Sequence, residues 1–356
     1  MKILFAIHDW GLGHATRDLV LINALLTAGH NVTILSAGRA LQLLRQELGN
    51  QCDFIELRDI PKPLSRHAAL FYIKMSLSLP MVFQTFRREQ QRVEQLCREH
   101  KYDRVISDSR YGVWARKVPS YYLVHSLRQI IPGRPRRLEK MVEYSQKRLL
   151  KEAHKILIPD QPDHGLAGDL CHDIDCDWEN RLEYIGILSS VARTAVEPDI
   201  DYFISVSGAE PQRSIFEKLV LEQVDELNGR IVVALGKPDV SSSVRDNGRI
   251  EIHNYMNRAQ QQEMMNRARL VVSRSGYTTL MELAELGKKA LLIPTVGQSE
   301  QEYLAEYHEH LGHMHTVRQS DLYLARDVMV AENYNGLPSI SPTRNSVDRF
   351  LAVVGC

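Results

Sequence analysis

The chain has 356 residues, with 44 Lys plus Arg against 44 Asp plus Glu and hence zero formal net charge. That length suits about two domains, and 44% hydrophobic with 25% charged residues excludes disordered, collagenous and coiled-coil classes. Zero net charge excludes a whole-molecule electrostatic grip on nucleic acid, which leaves only local patches. Five scattered cysteines, Cys52, Cys97, Cys171, Cys176 and Cys356, with no signal peptide read at the N-terminus, point to free thiols in a reducing cytoplasm. The first apolar run is interrupted by His8 and Asp9, far short of the ~20 residues of a membrane span.

In chain order, residues 2–7 form an apolar run before a glycine-containing turn. Leu19, Ile22, Leu25 and Leu26 then recur at helical spacing up to Gly29, and 32–35 is a second apolar run. Strand, glycine turn, helix, strand is the pattern of a parallel βαβ unit. Further buried-strand candidates are 54–57, 104–107, 121–124, 155–158 and 182–187, with helical patterns between most of them. The stretch 189–201 loses apolar periodicity and reads as an interdomain linker.

The pattern then restarts. Residues 202–206 read as a strand ending in Ser207-Gly208, 215–227 as a helix, and 231–235, 250–252, 270–272 and 290–293 as strands. Helices are expected over about 278–286, stopped by Gly287, and about 299–311. The expected architecture is α/β, with two facing Rossmann-like domains. An N-terminal domain spans 1–190, a linker 191–201 and a C-terminal domain 202–356. In open α/β sheets ligands bind beyond the carboxyl ends of the strands, so a cleft between the halves is the expected site.

The first turn reads His8-Asp9-Trp10-Gly11-Leu12-Gly13-His14-Ala15-Thr16-Arg17. Gly11 and Gly13 allow close ligand approach, and the helix start offers unpaired amides to an anion. A dinucleotide fingerprint would need glycine where Thr16 stands and an acidic residue where Ser36 stands, which argues against nicotinamide binding. His14 sits at the helix start, where an imidazole can accept a proton near neutral pH. The plainer alternative makes it a capping residue of a tight turn.

The second constellation is Ser273-Arg274-Ser275-Gly276-Tyr277-Thr278-Thr279 with Glu282 two turns on. Following a strand and opening a helix, Ser275, Gly276 and the next amides can cradle phosphate without a metal. Glu282 suits a vicinal diol, since a carboxylate accepts two hydroxyl hydrogen bonds. The alternative is Ser275 as an N-cap and Glu282 as a solvated helix residue. Downstream, Gln301 and Glu302 suit sugar hydroxyls, or else lie in a polar first turn capped by Ser299.

The run 272–303 and the glycine turn with His14 and Arg17 together resemble the MurG-like glycosyltransferases, which have the GT-B fold of two Rossmann-like domains. The resemblance spans both halves, although about 58–101 has no counterpart in it. It implies inverting transfer of a sugar from a nucleotide diphosphate sugar, UDP-linked by expectation, with no cofactor besides this co-substrate. Ser207, Gly208, Ser275, Gly276 and Thr278 would face the donor phosphates, Glu282 the ribose, Met256 the base, and Gln301 with Glu302 the donor sugar. Glu302 stands where MurG carries a second glutamine, which puts N-acetylglucosamine in doubt. His14 matches the N-domain histidine.

Asp108 and His125, each at or just past a strand end, are expected on the acceptor side with Gly11, Gly13 and Arg17, and His14 and Asp108 are the catalytic candidates. Residues 128–155 carry Arg128, Arg134, Arg136, Arg137, Lys140, Lys147, Arg148, Lys151 and Lys155, with Met141, Tyr144 and Leu149 interleaved. This reads as a solvated basic face, or as a contact for an anionic membrane or a lipid-linked or anionic acceptor. Cys171-His172 with Cys176 lacks the second ligand pair of a zinc site, so no metal is expected. A nucleotide-sugar hydrolase, an epimerase and a non-catalytic nucleotide-sugar-binding subunit are the alternatives to transfer.

Overall fold

The computed structural model describes residues 1–60, 68–163, 165–175, 177–178, 180–237 and 244–356, with backbone alone for 68–77. The chain divides into two compact units, Met1–Leu188 with Ser341–Cys356, and Ser189–Ile340.

Unit 1 begins β1 Lys2–Ile7, α1 Leu12–Thr27, β2 Asn31–Ser36, α2 Gly38–Leu48, β3 Asp53–Glu56 and α3 Ala68–His100. It continues β4 Arg104–Asp108, β5 Ser120–Leu123, α4 Arg136–Leu149, β6 Lys155–Ile158 and β7 Leu182–Tyr184. The strands form one parallel sheet in the order β3-β2-β1-β4-β5-β6-β7. Helices cover both faces of such a sheet, so its strands are continuous apolar runs. Ile3 to Ile7 are accordingly fully buried, each contributing about 1.5–3 kcal/mol where the side chain is large. From β1 the chain runs outward to β2 and β3 and then crosses back to β4 on the opposite side of β1, and Ile7 pairs with Asp108 across that point. A crevice at the strands' carboxyl ends forms there.

Unit 2 repeats the plan with β8 Ile200–Ser205, α5 Gln212–Gln223, β9 Ile231–Ala234, β10 Val244–Asp246, β11 Ile250–His253 and α6 Arg258–Arg267. It ends with β12 Ala268–Ser273, α7 Tyr277–Leu286, β13 Lys289–Leu292, α8 Ser299–His310, β14 His315–Thr316 and α9 Leu324–Ala331. Sheet order is β10-β11-β9-β8-β12-β13-β14, parallel except for the β10 edge. Its switch point lies between β8 and β12, and Ile204, Phe216, Val233, Val272 and Leu291 form the core beneath it.

Two boundaries depart from the sequence reading. The expected linker is stitched into unit 2: Val191 is buried, the Ala192 amide donates to Gln262 Oε1 (2.8 Å), and the Thr194 amide donates to Asn266 Oδ1 (2.8 Å). The final helix, α10 Thr343–Val354, was expected in the second domain but packs on α1 of unit 1. Its buried Phe350 and Val354 need an apolar partner, and Arg104 Nε of β4 ties its end by donating to the Val354 carbonyl (3.0 Å).

Candidate active site

In unit 1, α1 starts after Gly11, which caps it without a side chain and has only open space where a Cβ would sit. His14 lies inside the first turn, so it is not the cap. Residues three and four apart share a helix face, which brings His14, Arg17 and Asp18 together against the end of β4. Asp108, fully buried, accepts from Arg17 Nε (3.1 Å) and Nη2 (2.5 Å) and lies 2.8 Å from His14 Nδ1. Arg17 Nη1 donates to His125 Nδ1 (3.0 Å). The structure therefore joins four residues that the sequence had offered separately.

His14 Nδ1 also lies 3.0 Å from Arg17 Nη2. An ionised carboxylate only accepts, so the 2.8 Å contact of Nδ1 with Asp108 Oδ2 puts the proton on Nδ1 and leaves the lone pair on Nε2. Burial brings the His14 pKa down to about 4, with Arg17 and His8 adding to the effect and Asp108 opposing it. Burial also works against ionised Asp108, but Arg17 and His14 overcome it and hold that carboxyl well below its ordinary value. The site at neutral pH is thus a neutral imidazole on an ionised, arginine-clamped aspartate.

Three neighbours were missed by sequence reasoning. Asp18 is fully buried, with both carboxylate oxygens lacking a hydrogen-bond partner and Oδ1 3.8 Å from Arg17 Nε. Burial, reinforced by the charge of Asp108, raises its pKa well above the usual carboxylate range. The available signal was a charged pair, Arg17-Asp18, on the apolar stripe of Ala15, Leu19 and Ile22. His8 Nδ1 meets Asp59 Oδ2 at 2.6 Å, and the Asp9 amide donates to the same oxygen (3.0 Å). Burial opposes ionisation of Asp59, yet His8 and Arg110 bring it down to about 2. No short-range pattern marks Asp59, which reaches the turn from 50 residues away.

In unit 2 the corresponding switch point carries Ser207-Gly208 after β8 and Arg274-Ser275-Gly276 after β12. Gly208 has φ +118°, a backbone state that side chains disfavour, and a Cβ there would come no nearer than 3.8 Å to Thr295 Oγ1 and 4.0 Å to Arg274 Nε. Thr295 is buried and its Oγ1 has no hydrogen-bond partner. Gly276 is the N-cap of α7, and no side chain caps that helix, so its positive end faces the loop with Thr278 in the first turn. Ser275 is not the cap, because its hydroxyl donates to the Gln301 carbonyl (2.8 Å).

Arg274 staples this site together. It donates to the carbonyls of Ile293 (3.1 Å), Pro294 (3.3 Å) and Gln212 (3.0 Å) and to Gln319 Oε1 (2.6 Å), and stacks 4.3 Å over Phe216. Burial lowers its guanidinium to about 10.

Glu282 is 6% exposed, so it is no solvated helix residue. Its Oε1 accepts from Ser190 Oγ (3.2 Å) and from Arg258 Nη2. Met256 is buried, and its carbonyl accepts from Gln261 Nε2 (3.0 Å). Gln301 and Glu302 turn back on their own loop. Gln301 Oε1 accepts from the Thr295 amide (2.9 Å), and Glu302 Oε1 accepts from the Gly297 amide (3.0 Å). The N-cap of α8 is Gln298, not Ser299.

The basic stretch is largely neutralised. Arg128 is buried with Glu143 (3.3 Å) and Asp175 (3.2 Å), Arg134 and Arg136 face Glu139 and Asp169, Lys140 meets Asp175 and Lys155 meets Glu183. Helix α4 turns Glu139, Glu143 and Gln146 inward and exposes Leu138, Met141 and Tyr144. Cys171 and His172 gather on Asp160, with Sγ at 3.7 Å and Nε2 at 3.1 Å, while Cys176 lies outside the described residues. Asp160 already accepts the amides of Gln161, Leu166 and Ala167, which makes this cluster a loop clasp.

Residues 204–328 match the glycosyltransferase family 28 C-terminal domain, and residues 1–117 match a glycosyl transferase family 1 model. An uncharacterized glycosyltransferase of Methanosarcina acetivorans is 25% identical, over all of this chain and 94% of its own length. Among solved structures, MurG of Acinetobacter baumannii is similar with a TM-score of 0.61 at 12% identity, covering 99% of this chain and 98% of its own. The spinosyn rhamnosyltransferase SpnG complexed with thymidine diphosphate is similar at 0.59 and 16% identity, covering 98% and 95%. With two such sheets, a family 28 C-terminal domain match on the second unit and glycosyltransferase matches along the whole length, the chain is a glycosyltransferase of the GT-B fold.

Proposed function

We propose that the protein transfers a sugar, with inversion, from a nucleoside diphosphate sugar to an acceptor hydroxyl, with UDP as the first nucleotide to test. The observation that carries this reading is the His14–Asp108 pair: a neutral imidazole whose Nδ1 is fixed at 2.8 Å from an ionised carboxylate has Nε2 free to act as base. As the acceptor oxygen forms its bond to the anomeric carbon, Nε2 takes the hydroxyl proton and the bond from that carbon to the diphosphate breaks. Asp108 stabilises the imidazolium so formed, and Arg17 holds Asp108 in place.

The reading assigns the donor to unit 2. The α7 amides beginning at Gly276, with the Ser207-Gly208 turn, suit the leaving diphosphate, whose growing charge the helix's positive end favours. Glu282 would take the pentose, Met256 would pack on the base, and Gln301 and Glu302 would read the sugar after releasing their loop contacts. A similar solved structure that holds thymidine diphosphate supports a nucleoside diphosphate as ligand class.

We assign the acceptor to unit 1 and propose that it is lipid-linked or anionic. Met141 and Tyr144 are 60% and 65% exposed on α4, beside a groove of about 540 Å³ lined by Tyr144, Lys147, Arg148, Lys151 and Arg181. Apolar tips ringed by cations suit an anionic membrane surface, which would place the protein at the cytoplasmic face. No described helix is long and apolar enough to cross a membrane.

The test is a thermal-shift screen of nucleotides and nucleotide sugars, followed by product analysis with and without candidate acceptors. Stabilisation by nucleoside diphosphates and an acceptor-dependent product, lost in His14→Ala with nucleotide affinity retained, is the expected result. Donor breakdown that no acceptor diverts would favour a hydrolase, and a clear preference for NAD would overturn the reading.

A further inference from the structure

Glu282 has two oxygens, and the structure has already spent one of them. Both lone-pair directions of Oε1 are taken, by Ser190 Oγ and by Arg258 Nη2, whereas Oε2 makes no hydrogen bond among the described residues. Arg258 is held there. It is the first residue of α6, whose start is fixed by the reciprocal capping of Asn257 and Gln260. Its Nη1 donates to Gln261 Oε1 (3.0 Å), and Gln261 Nε2 in turn donates to the Met256 carbonyl. A chain of hydrogen bonds thus runs from Met256, the position assigned to the base, to the carboxylate assigned to the pentose.

We propose that Arg258 is a specificity-determining residue: by filling Glu282 Oε1 it reduces the pentose grip to one point, so the site takes 2′-deoxyribonucleoside diphosphates as readily as ribonucleoside diphosphates. The proposal rests on the assignment of Glu282 to the donor's pentose. A free carboxylate accepts the 2′- and 3′-hydroxyls on separate oxygens. With Oε2 alone, hydroxyls on adjacent carbons converge too closely for both to donate at good angles, and the 2′-hydroxyl gains nothing over its bond to water. Donors built on a deoxynucleotide then fall within the substrate class.

The experiment is titration calorimetry of the full chain with UDP against 2′-deoxy-UDP, and with ribothymidine diphosphate against thymidine diphosphate, so that the base cancels within each pair. The wild type is expected to bind the members of each pair within about threefold. Arg258→Gln, which frees one lone pair of Oε1 beside the bond from Ser190, is expected to favour the ribonucleotide by about tenfold or more, as gaining a hydrogen bond to a charged group implies. A tenfold ribonucleotide preference in the wild type overturns the proposal without any variant. A fall in ribonucleotide affinity in Arg258→Gln also overturns it, since Arg258 would then be the donor to the 2′-hydroxyl. Failure of all four nucleotides to bind at millimolar concentration would instead remove the donor assignment, and this proposal with it.

Discussion

Asp108→Asn tests the buried cluster of unit 1 most directly. Four donors converge on the Asp108 carboxylate: His14 Nδ1, Arg17 Nε, Arg17 Nη2 and Ser109 Oγ. An asparagine offers them one oxygen and one competing NH2. Arg17 is 1% exposed, so its charge loses its partner where water cannot replace it. Breaking a buried pair from one side costs about 3–5 kcal/mol. In a unit of this size about 1 kcal/mol moves the midpoint by roughly 2–4 °C, so the fall should be on the order of 6–20 °C.

Calorimetry with saturating nucleoside diphosphate separates the transitions, because the ligand should raise that of unit 2 and leave that of unit 1. Arg17→Met combined with Asp108→Asn removes the stranded cation and should recover at least half of the loss. A fall below ~2 °C, or a double variant no better than the single one, would refute the account of Arg17 as a charge that depends on Asp108. Asp18→Asn supplies a further arm. Its carboxyl pKa is raised in the fold, so the stability this group contributes is full below the unfolded carboxylate pKa and is lost as pH rises toward the folded value. The variant should therefore be more stable than wild type at pH 7 and indistinguishable from it near pH 4.

Further outcomes follow from the same geometry. His14→Ala should lower kcat by about 10²–10⁴ and leave nucleotide Kd within twofold, with a similar loss in Asp108→Asn and little more in the double variant. His14 binds its proton near pH 4 in the fold and near 6.5 when unfolded, so the unfolded chain holds more protons between those values. Stability contributed by this residue is present above pH 6.5 and lost as pH falls toward 4. Urea midpoints of His14→Gln across that window should show a slope shallower by up to about 1.4 kcal/mol per pH unit. Replacing Arg137, Lys147 and Arg148 with glutamine should weaken sedimentation with anionic vesicles at least fivefold, and unchanged binding would eliminate the membrane contact.

The sheets were legible because parallel strands covered on both faces are uninterrupted apolar runs, as at 2–7, 104–107 and 270–272, which became β1, β4 and β12. β10 was missed because Val244–Asp246 is an exposed edge without an apolar run. Gly287 stops α7 as read, in the left-handed state that a helix end favours. His14 and Asp108 could be singled out by their positions after strands, but not their 2.8 Å contact, which depends on β1 pairing with β4 across 94 residues. Arg258 on Glu282 was invisible for the same reason. The net charge of the basic stretch could not be judged from its own residues, since beside its internal Glu139 and Glu143 it is met by Asp169, Asp175 and Glu183 from elsewhere in the fold.

The backbone passes between the units twice, at 188–189 and again at 340–341, because α10 returns to α1. During synthesis the middle segment can therefore finish folding while the first is still waiting for its last helix to leave the ribosome. The order inverts the usual vectorial rule that the N-terminal domain matures first. Until that helix arrives, the apolar side of α1 that it covers is open to chaperones.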